Sequence, residues 1–309
     1  MITRARGQLI RSIGYLAYTL GALALLLWLL FPEEALRRSL VGHLKGAWPE
    51  LQWRLRSVTL EMPAALRMEA LEGYGAADRP MIRLDSLVVQ PDWAGSLQSR
   101  RLRIKYQIVV GQGSIAGLVQ SIAGPTEWSW EGTVQQLRLA DWPLLSLRLG
   151  REVEGVVSAT FAGAGVPTKQ EKAQLKAEVK VENGRLGLKR PILSHSVIPF
   201  SLVSLNLRGD GNRIEIEQGE VASELMRGQF TGHAEWGQGA TSAQIVVRGA
   251  LHPEPRFFKG LDNTVAVQAV RAQLKDKPLP FRLSGDPVNP SIHFEEFSMQ
   301  FQALEKELR

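Results

Sequence analysis

The stretch Arg101–Ile108, RLRIKYQI, alternates polar and apolar side chains without a break. A period of two places the apolar side chains on one face of a β-strand and the polar ones on the other. Leu175–Glu182, LKAEVKVE, has the same pattern, and shorter alternating runs lie at residues 54–56, 205–208 and 213–217. Strands with one wet and one apolar face are typical of antiparallel sheets. The sequence therefore predicts a mainly β protein.

Turn-forming residues separate the alternating segments. The run Gly209–Asn212 (GDGN) and the pair Asn183-Gly184 predict hairpin turns, because a positive φ costs little energy at Gly and Asn. Strand-like segments bounded by Gly or Pro recur from about residue 51 to residue 295. The β structure is thus expected to extend over most of the chain.

Helical patterns are scarce. Leucines at four-residue spacing over Glu33–Ala47, with acids in the first turn, predict one amphipathic helix. Its leucines could lie on a membrane surface or cover one end of the sheet, and the sequence leaves both roles open. Residues 114–124 (SIAGLVQSIAG) predict a loop or a short helix. Residues 257–274 are a further helix candidate, although residues 265–270 fit a strand equally well.

An uncharged segment, IGYLAYTLGALALLLWLLF, occupies residues 13–31. A helix of this length spans about 30 Å, which is the hydrocarbon thickness of a bilayer. Three arginines precede the segment and two glutamates follow it, so the N-terminus is expected in the cytoplasm and the rest outside. A cleaved signal peptide, the alternative, would have a shorter apolar region and a small-x-small site. We expect a retained membrane anchor that includes Ile13, Leu20, Leu27, Trp28 and Phe31.

The predicted organisation has four parts. Residues 1–11 form a cytoplasmic stub, residues 12–31 a transmembrane helix and residues 32–48 an amphipathic linker helix. Residues 49–309 form a β domain outside the cytoplasm, and a possible internal boundary lies near residues 163–170, where Gly and Pro cluster.

The long alternation raises the question of what covers the apolar face. A two-sheet sandwich and an open groove or half-barrel need the same pattern, so periodicity does not separate them. We expect one elongated, curved antiparallel sheet with few short helices. An exposed apolar face of this size marks a ligand or partner site. The candidate groove or partner contacts are Leu102, Ile104, Tyr106, Ile108, Trp128, Trp130, Val179 and Val181.

Motifs for catalysis are lacking in the sequence. The chain has no cysteine, so disulfides, thiolate metal sites and a cysteine nucleophile are excluded. The five histidines are dispersed, and neither a phosphate loop nor a Gly-x-Ser-x-Gly elbow is present. We therefore expect no catalytic residue, no metal site, no cofactor and no enzymatic activity.

The charge balance does not favour a nucleic-acid partner. The formal net charge is +6, from 37 Lys and Arg against 31 Asp and Glu. Three of the positive charges lie in the N-terminal stub, and the others are interleaved with acids instead of forming one basic face. Membrane lipid and other proteins are the expected partners.

Five segments behind the hydrophobic stretch resemble one protein family. Residues 141–145 (DWPLL) and 153–159 (VEGVVSA) look like its mid-chain strand pair, and residues 181–186 (VENGRL) look like its Asn-Gly hairpin. Residues 58–66 (VTLEMPAAL) and 280–292 (PFRLSGDPVNPSI) resemble its opening and closing segments. In this order they resemble the type II secretion system protein N family of Gram-negative bacteria. The chain is similar, more distantly, to AsmA-like envelope proteins.

This resemblance implies a function. The secretion family implies a single-pass protein of the bacterial inner membrane, with residues 49–309 as a periplasmic β domain and so with its bulk in the periplasm. It also implies an accessory component of the machinery that exports folded proteins, with other secretion-system components as partners. The AsmA-like relation implies a hydrophobic groove that binds or transfers lipid. We therefore expect an accessory role in type II protein secretion, with a lipid-binding or lipid-transfer module of the bacterial envelope as the alternative.

Overall fold

The structure, a computed structural model, describes residues 14–15, 18–19, 21–22, 26, 30–61, 64–75, 78, 80–123, 126–166, 169–192, 195–236, 243–258, 268 and 277–294. Its helices are α1 (Glu33–Ala47), α2 (Trp93–Ser99) and α3 (Pro143–Leu149), with 3-10 turns at Leu139–Asp141 and Pro255–Phe258. The first seven strands are β1 (Gln52–Glu61), β2 (Ala65–Tyr74), β3 (Pro80–Pro91), β4 (Arg103–Val110), β5 (Gly113–Ala123), β6 (Glu127–Arg138) and β7 (Val153–Val166). The others are β8 (Lys169–Ile192), β9 (His195–Asp210), β10 (Arg213–Ala222), β11 (Met226–Trp236), β12 (Ala243–Pro253), β13 (Leu279–Gly285) and β14 (Ser291–Phe294).

All described strands belong to one antiparallel sheet, in which each strand pairs with its neighbours along the chain. The sheet is not closed, since β1 and β14 form its two edges. The prediction of a mainly β protein with a single antiparallel sheet and few short helices is confirmed. The strands do not divide into the two stacked sheets of a sandwich. The described residues at the possible internal boundary, 163–166 and 169–170, belong to β7 and β8, which pair in the same sheet.

Local predictions had mixed outcomes. The GDGN run forms the β9–β10 hairpin turn, with Gly211 at a φ of 60°. The pair Asn183-Gly184 does not form a hairpin. It lies inside β8, where Asn183 has a φ of 50° and the register with β7 shifts. A β-bulge uses the same positive φ that a turn would use, so composition alone did not separate the two.

Two segments have a different secondary structure from the one predicted. Residues 114–124 were assigned to a loop or short helix, but β5 runs through them as far as Ala123. Both faces of β5 carry apolar side chains, Ile115 on one and Leu118 on the other, so polar alternation is missing. Residues 141–145 resemble a strand of the secretion family, yet they contain the start of α3, with Pro143 at the first helical turn.

Helix α1 covers one end of the sheet. Its residues Leu36, Leu40, Val41 and Leu44, with Phe31 before it, pack against a core from β1 and β2. That core consists of the buried side chains Leu55, Val58, Met68 and Leu71. The structure therefore assigns the leucines of the amphipathic helix to the sheet and not to a membrane surface.

The predicted membrane anchor falls largely outside the described residues. Ile13, Leu20, Leu27 and Trp28 lie outside them, as do most of residues 257–274. Among the residues that the structure does describe, no helix is both long and apolar enough to cross a bilayer. The described parts of the segment are helical at residues 14–15, 18–19, 21–22 and 26, where the Thr19 hydroxyl donates to the Tyr15 carbonyl oxygen at 2.8 Å.

Candidate functional site

The sheet presents a continuous apolar surface over its central strands, which we call the apolar face. Because paired residues of antiparallel strands share a face, the strand register defines it. One cross-strand row runs over β4 to β9 through Ile108, Ile115, Val134, Ala159, Val179 and Leu205. The same row continues over β10 to β14 through Gly219, Phe230, Gly249, Phe281 and Phe294.

No other element covers the central part of the apolar face within the described residues. Each of the six side chains from Ile108 to Leu205 in this row is only half-buried. The equivalent positions beneath α1, such as Val58 and Leu71, are buried. The apolar pattern is thus buried beneath α1 in β1 and β2, whereas the row over β4 to β9 keeps part of its surface in contact with solvent.

Aromatic rings and glycines shape the apolar face. The register places Tyr106 beside Gly117 and Gly117 beside Gly132. The Tyr106 hydroxyl lies across both glycines and donates to the Glu131 carbonyl oxygen at 3.4 Å. A Cβ atom on Gly117 would lie 2.5 Å from that hydroxyl oxygen, so only glycine lets the ring lie flat on the sheet. Burial raises the pKa of the Tyr106 hydroxyl.

The register places the sequence-predicted contact residues on this one surface. Ile104, Tyr106 and Ile108 share a face of β4, and Trp128 with Trp130 share the matching face of β6. Val179 and Val181 lie on the same face of β8, as the pairing through β7 shows. Leu102 precedes β4 and is 50% exposed. Sequence reasoning grouped these residues without knowing that their strands are near neighbours.

Sequence reasoning missed contributors from the intervening strands. Phe161 of β7 lies beside Gly132, and Leu205 of β9 extends the row beyond Val179. In β7, Val157, Ala159 and Phe161 alternate with Ser158, Thr160 and Ala162. This is a weak alternation of small residues, and it is the signal that could have identified the strand.

The opposite, polar face contains a trough of about 1130 Å³ that extends from β1 to β10. Its floor includes small side chains such as Ala116 and Ala162, and charged side chains lie along it. Arg67 and Glu61 form an ion pair at 2.5 Å, which raises the pKa of the Arg67 guanidinium. The charges of the trough have mixed sign: Glu61, Arg67, Arg103, Lys105, Glu131, Lys176, Glu178, Arg208 and Glu217. Such a surface has no concentrated field for a polyanion.

A partly buried carboxylate fixes the connection between β3 and β4. Asp92 caps α2 by accepting from the Gly95 N–H at 3.3 Å. Its two oxygens also lie 3.3 Å from the Arg103 Nε and 3.3 Å from the Lys105 Nζ. Burial acts to raise the pKa of Asp92, but the Gly95 hydrogen bond and the two cations outweigh burial and lower it. The side chain therefore remains an ionised structural anchor at neutral pH.

Neither a metal-binding cluster nor a match to a known protein assigns a function to this chain. Within the described parts of the chain, no cluster of three or more His, Asp or Glu residues could hold a metal ion. No protein-family model, no curated protein and no solved structure matches this chain. The functional argument therefore depends on the two faces and the edges of the sheet, together with the sequence patterns.

Proposed function

We propose that this protein is an inner-membrane-anchored accessory component of the type II protein secretion system, acting through a periplasmic β domain. Its support is the order of the five resembling segments behind an uncharged stretch of bilayer length. Where the structure describes that stretch, Tyr15, Tyr18, Leu26 and Leu30 are more than half exposed. Large apolar side chains exposed in this way suit a lipid environment.

The observation that carries the proposal is the open edge of the sheet. Among the described strands, β14 pairs only with β13, and its residues Ser291, Ile292 and His293 are exposed. An exposed edge can accept a strand from another protein through main-chain hydrogen bonds. Such β-augmentation would attach the sheet to a periplasmic segment of a secretion component.

Site-specific cross-linking tests this contact, because the chain has no cysteine of its own. His293→Cys places a thiol on the β14 edge, and Thr231→Cys places one on the exposed polar face of the interior strand β11 as a matched control. In cells with a complete secretion system, a thiol-reactive photo-cross-linker should join only the His293→Cys protein to a secretion component. Normal secretion by a deletion strain, with no adduct at either position, would refute the proposal.

A second candidate function is the binding of lipid acyl chains on the apolar face. The specific observation in its favour is the half-buried row from Ile108 to Leu205, which no described element covers. Acyl chains would remove this surface from water, at a gain of about 25 cal/mol per Å² of apolar area. Lipid binding and a role in secretion are compatible in one protein.

Native mass spectrometry of the gently purified full chain tests lipid binding. Phospholipid or lipopolysaccharide should accompany the unmodified protein. Val179→Asp puts a charge on the apolar face and should remove the lipid, whereas Lys180→Asp introduces the same group on the polar face one residue along. Equal lipid content in the two variants, or a lipid-free parent protein, would refute this function.

A further inference from the structure

We propose that α2 and the residues after it form a second membrane contact, which docks onto the headgroup region of an anionic bilayer. This α2 patch consists of Trp93, Leu97, Arg100, Arg101 and Leu102. The inference rests on the proposed membrane anchor, because it concerns how the sheet is held against the same bilayer.

The α2 patch exposes an unusual amount of apolar surface. Leu97 is 81% exposed, Trp93 is 58% exposed and Leu102 is 50% exposed. A large exposed apolar cluster on one short segment indicates a contact with another surface. Tryptophan in particular favours the interface of a bilayer, where its apolar ring and polar N–H are both accommodated.

The patch is held rigidly although α2 is short. Besides the Asp92 cap, the Arg103 N–H donates to the Ser96 hydroxyl oxygen at 3.0 Å. The Ser99 hydroxyl donates to the Gly95 carbonyl oxygen at 2.6 Å. The Arg101 N–H, just after the helix, donates to the Ser96 carbonyl oxygen at 3.2 Å. These bonds hold the exposed side chains in place on the end of the sheet, so little ordering cost remains for docking.

The α2 patch lies at the same end of the sheet as the start of α1. At the start of α1, Glu33 accepts from the Val58 N–H at 3.2 Å, while Trp48 after its end contacts the ring of Trp53. Helix α1 therefore runs antiparallel to β1 and begins near the end of the sheet where β1 finishes. Because β1, β2 and β3 are successive antiparallel neighbours, β3 also finishes at that end and leads into α2.

The charge of the patch matches an anionic membrane. Arg100 and Arg101 are exposed, and neither forms an ion pair with another described residue. Basic side chains beside interfacial Trp and Leu are the combination that binds peripheral helices to anionic phospholipid. The proposed anchor leaves the bilayer immediately before α1, so the same bilayer lies at the end of the sheet where α2 projects.

Depth-dependent fluorescence quenching tests the docking in full-length protein reconstituted into nanodiscs of phosphatidylethanolamine and phosphatidylglycerol. Leu97→Cys and Leu147→Cys each carry an environment-sensitive fluorophore on a seven-residue helix, and Leu147 is 61% exposed at the opposite end of the sheet. Shallow nitroxide phospholipids should quench the label at position 97 several-fold more than the label at position 147. Arg100→Glu with Arg101→Glu, or a zwitterionic bilayer, should greatly reduce that quenching.

A label at Leu26→Cys separates failure of this inference from failure of the anchor. If position 26 is quenched by deeply placed nitroxides and position 97 is not quenched, the docking proposal is wrong and the anchor stands. If position 26 is not quenched either, the anchor is wrong and the docking proposal falls with it. Equal quenching at positions 97 and 147 would also overturn the docking, because it would show no preferred orientation.

Discussion

Two regions of the sheet's apolar face, one beneath α1 and one over the central strands, have different environments. Beneath helix α1, the side chains Leu55, Val58 and Leu71 of β1 and β2 are buried in a core. Over β4 to β9, Ile108, Val179 and their row neighbours on the same face are only half-buried. Both regions consist of paired antiparallel strands with one apolar face, and α1 lies only over the first of them. A strand pattern therefore specifies which residues share a face, and a separate element decides whether that face is core or binding surface.

Truncating one leucine in each region should give the largest difference in stability. Leu71→Ala removes a buried side chain beneath α1 and should lower the free energy of unfolding by about 2–5 kcal/mol, because a cavity remains. Leu205→Ala removes a side chain that is only half-buried and should cost no more than about 1.5 kcal/mol. Urea unfolding of the detergent-solubilised full chain, followed by β circular dichroism, measures both. Equal losses would show that the apolar face is covered after all.

A smaller effect should come from crowding the aromatic–glycine contact. Gly117→Ala places a methyl group against the Tyr106 hydroxyl and the Glu131 carbonyl oxygen, so it should destabilise the protein by about 1–3 kcal/mol. Ala116→Val on the exposed face of the same strand is the control and should change stability by less than about 0.5 kcal/mol. The same urea experiment measures both variants. A neutral Gly117→Ala would mean that Tyr106 is free to leave the sheet.

The smallest predicted effect is a pH dependence at the border between the two regions. The folded-state pKa of Asp92 is lowered, so its contribution to stability is complete above the unfolded value of about 3.9 and is lost as pH falls through the folded value. Acid should therefore loosen α2 and the start of β4 while the core beneath α1 stays protected. Amide hydrogen exchange at descending pH measures this order of opening.

Two variants complete the pH experiment. In the Asp92→Asn protein, the amides of α2 should already exchange faster at neutral pH. Lowering the pH should then increase their exchange much less than in the parent protein. Asp78→Asn removes an exposed carboxylate from its pair with Arg54 and should leave α2 exchange unchanged. If the Asp92→Asn protein keeps the acid sensitivity of its parent at α2, another group controls that border.

Part of the structure could be predicted from the sequence because alternation is a local signal. Residues 101–108 and 175–182 gave β4 and β8 correctly, and the leucine spacing gave α1 with the bounds that it has. Strand β5 was missed because Leu118 and Ala116 place apolar side chains on the polar face of the sheet. The pair Asn183-Gly184 was misassigned because a bulge and a hairpin turn need the same backbone conformation.

The candidate site was predicted only as a set of residues. Tyr106, Trp130 and Val179 were grouped by their strand patterns, and the register places them on one face of the sheet. Whether that face is enclosed depends on contacts between distant parts of the chain, which no local pattern contains. Of the α2 patch only Leu102 was predicted as a contact, since Leu97 and Trp93 lie in a helix of seven residues that has no periodic signal.

The unbroken neighbour-to-neighbour order of the strands has a consequence for how the molecule is made. No strand must wait for a distant part of the chain, so the sheet can grow one hairpin at a time from the α1 end. Folding can then keep pace with delivery of the chain from its N-terminus, and each new strand meets a template that is already ordered. Shortening the sheet from the β14 end should leave a smaller version of the same architecture instead of an unfolded chain.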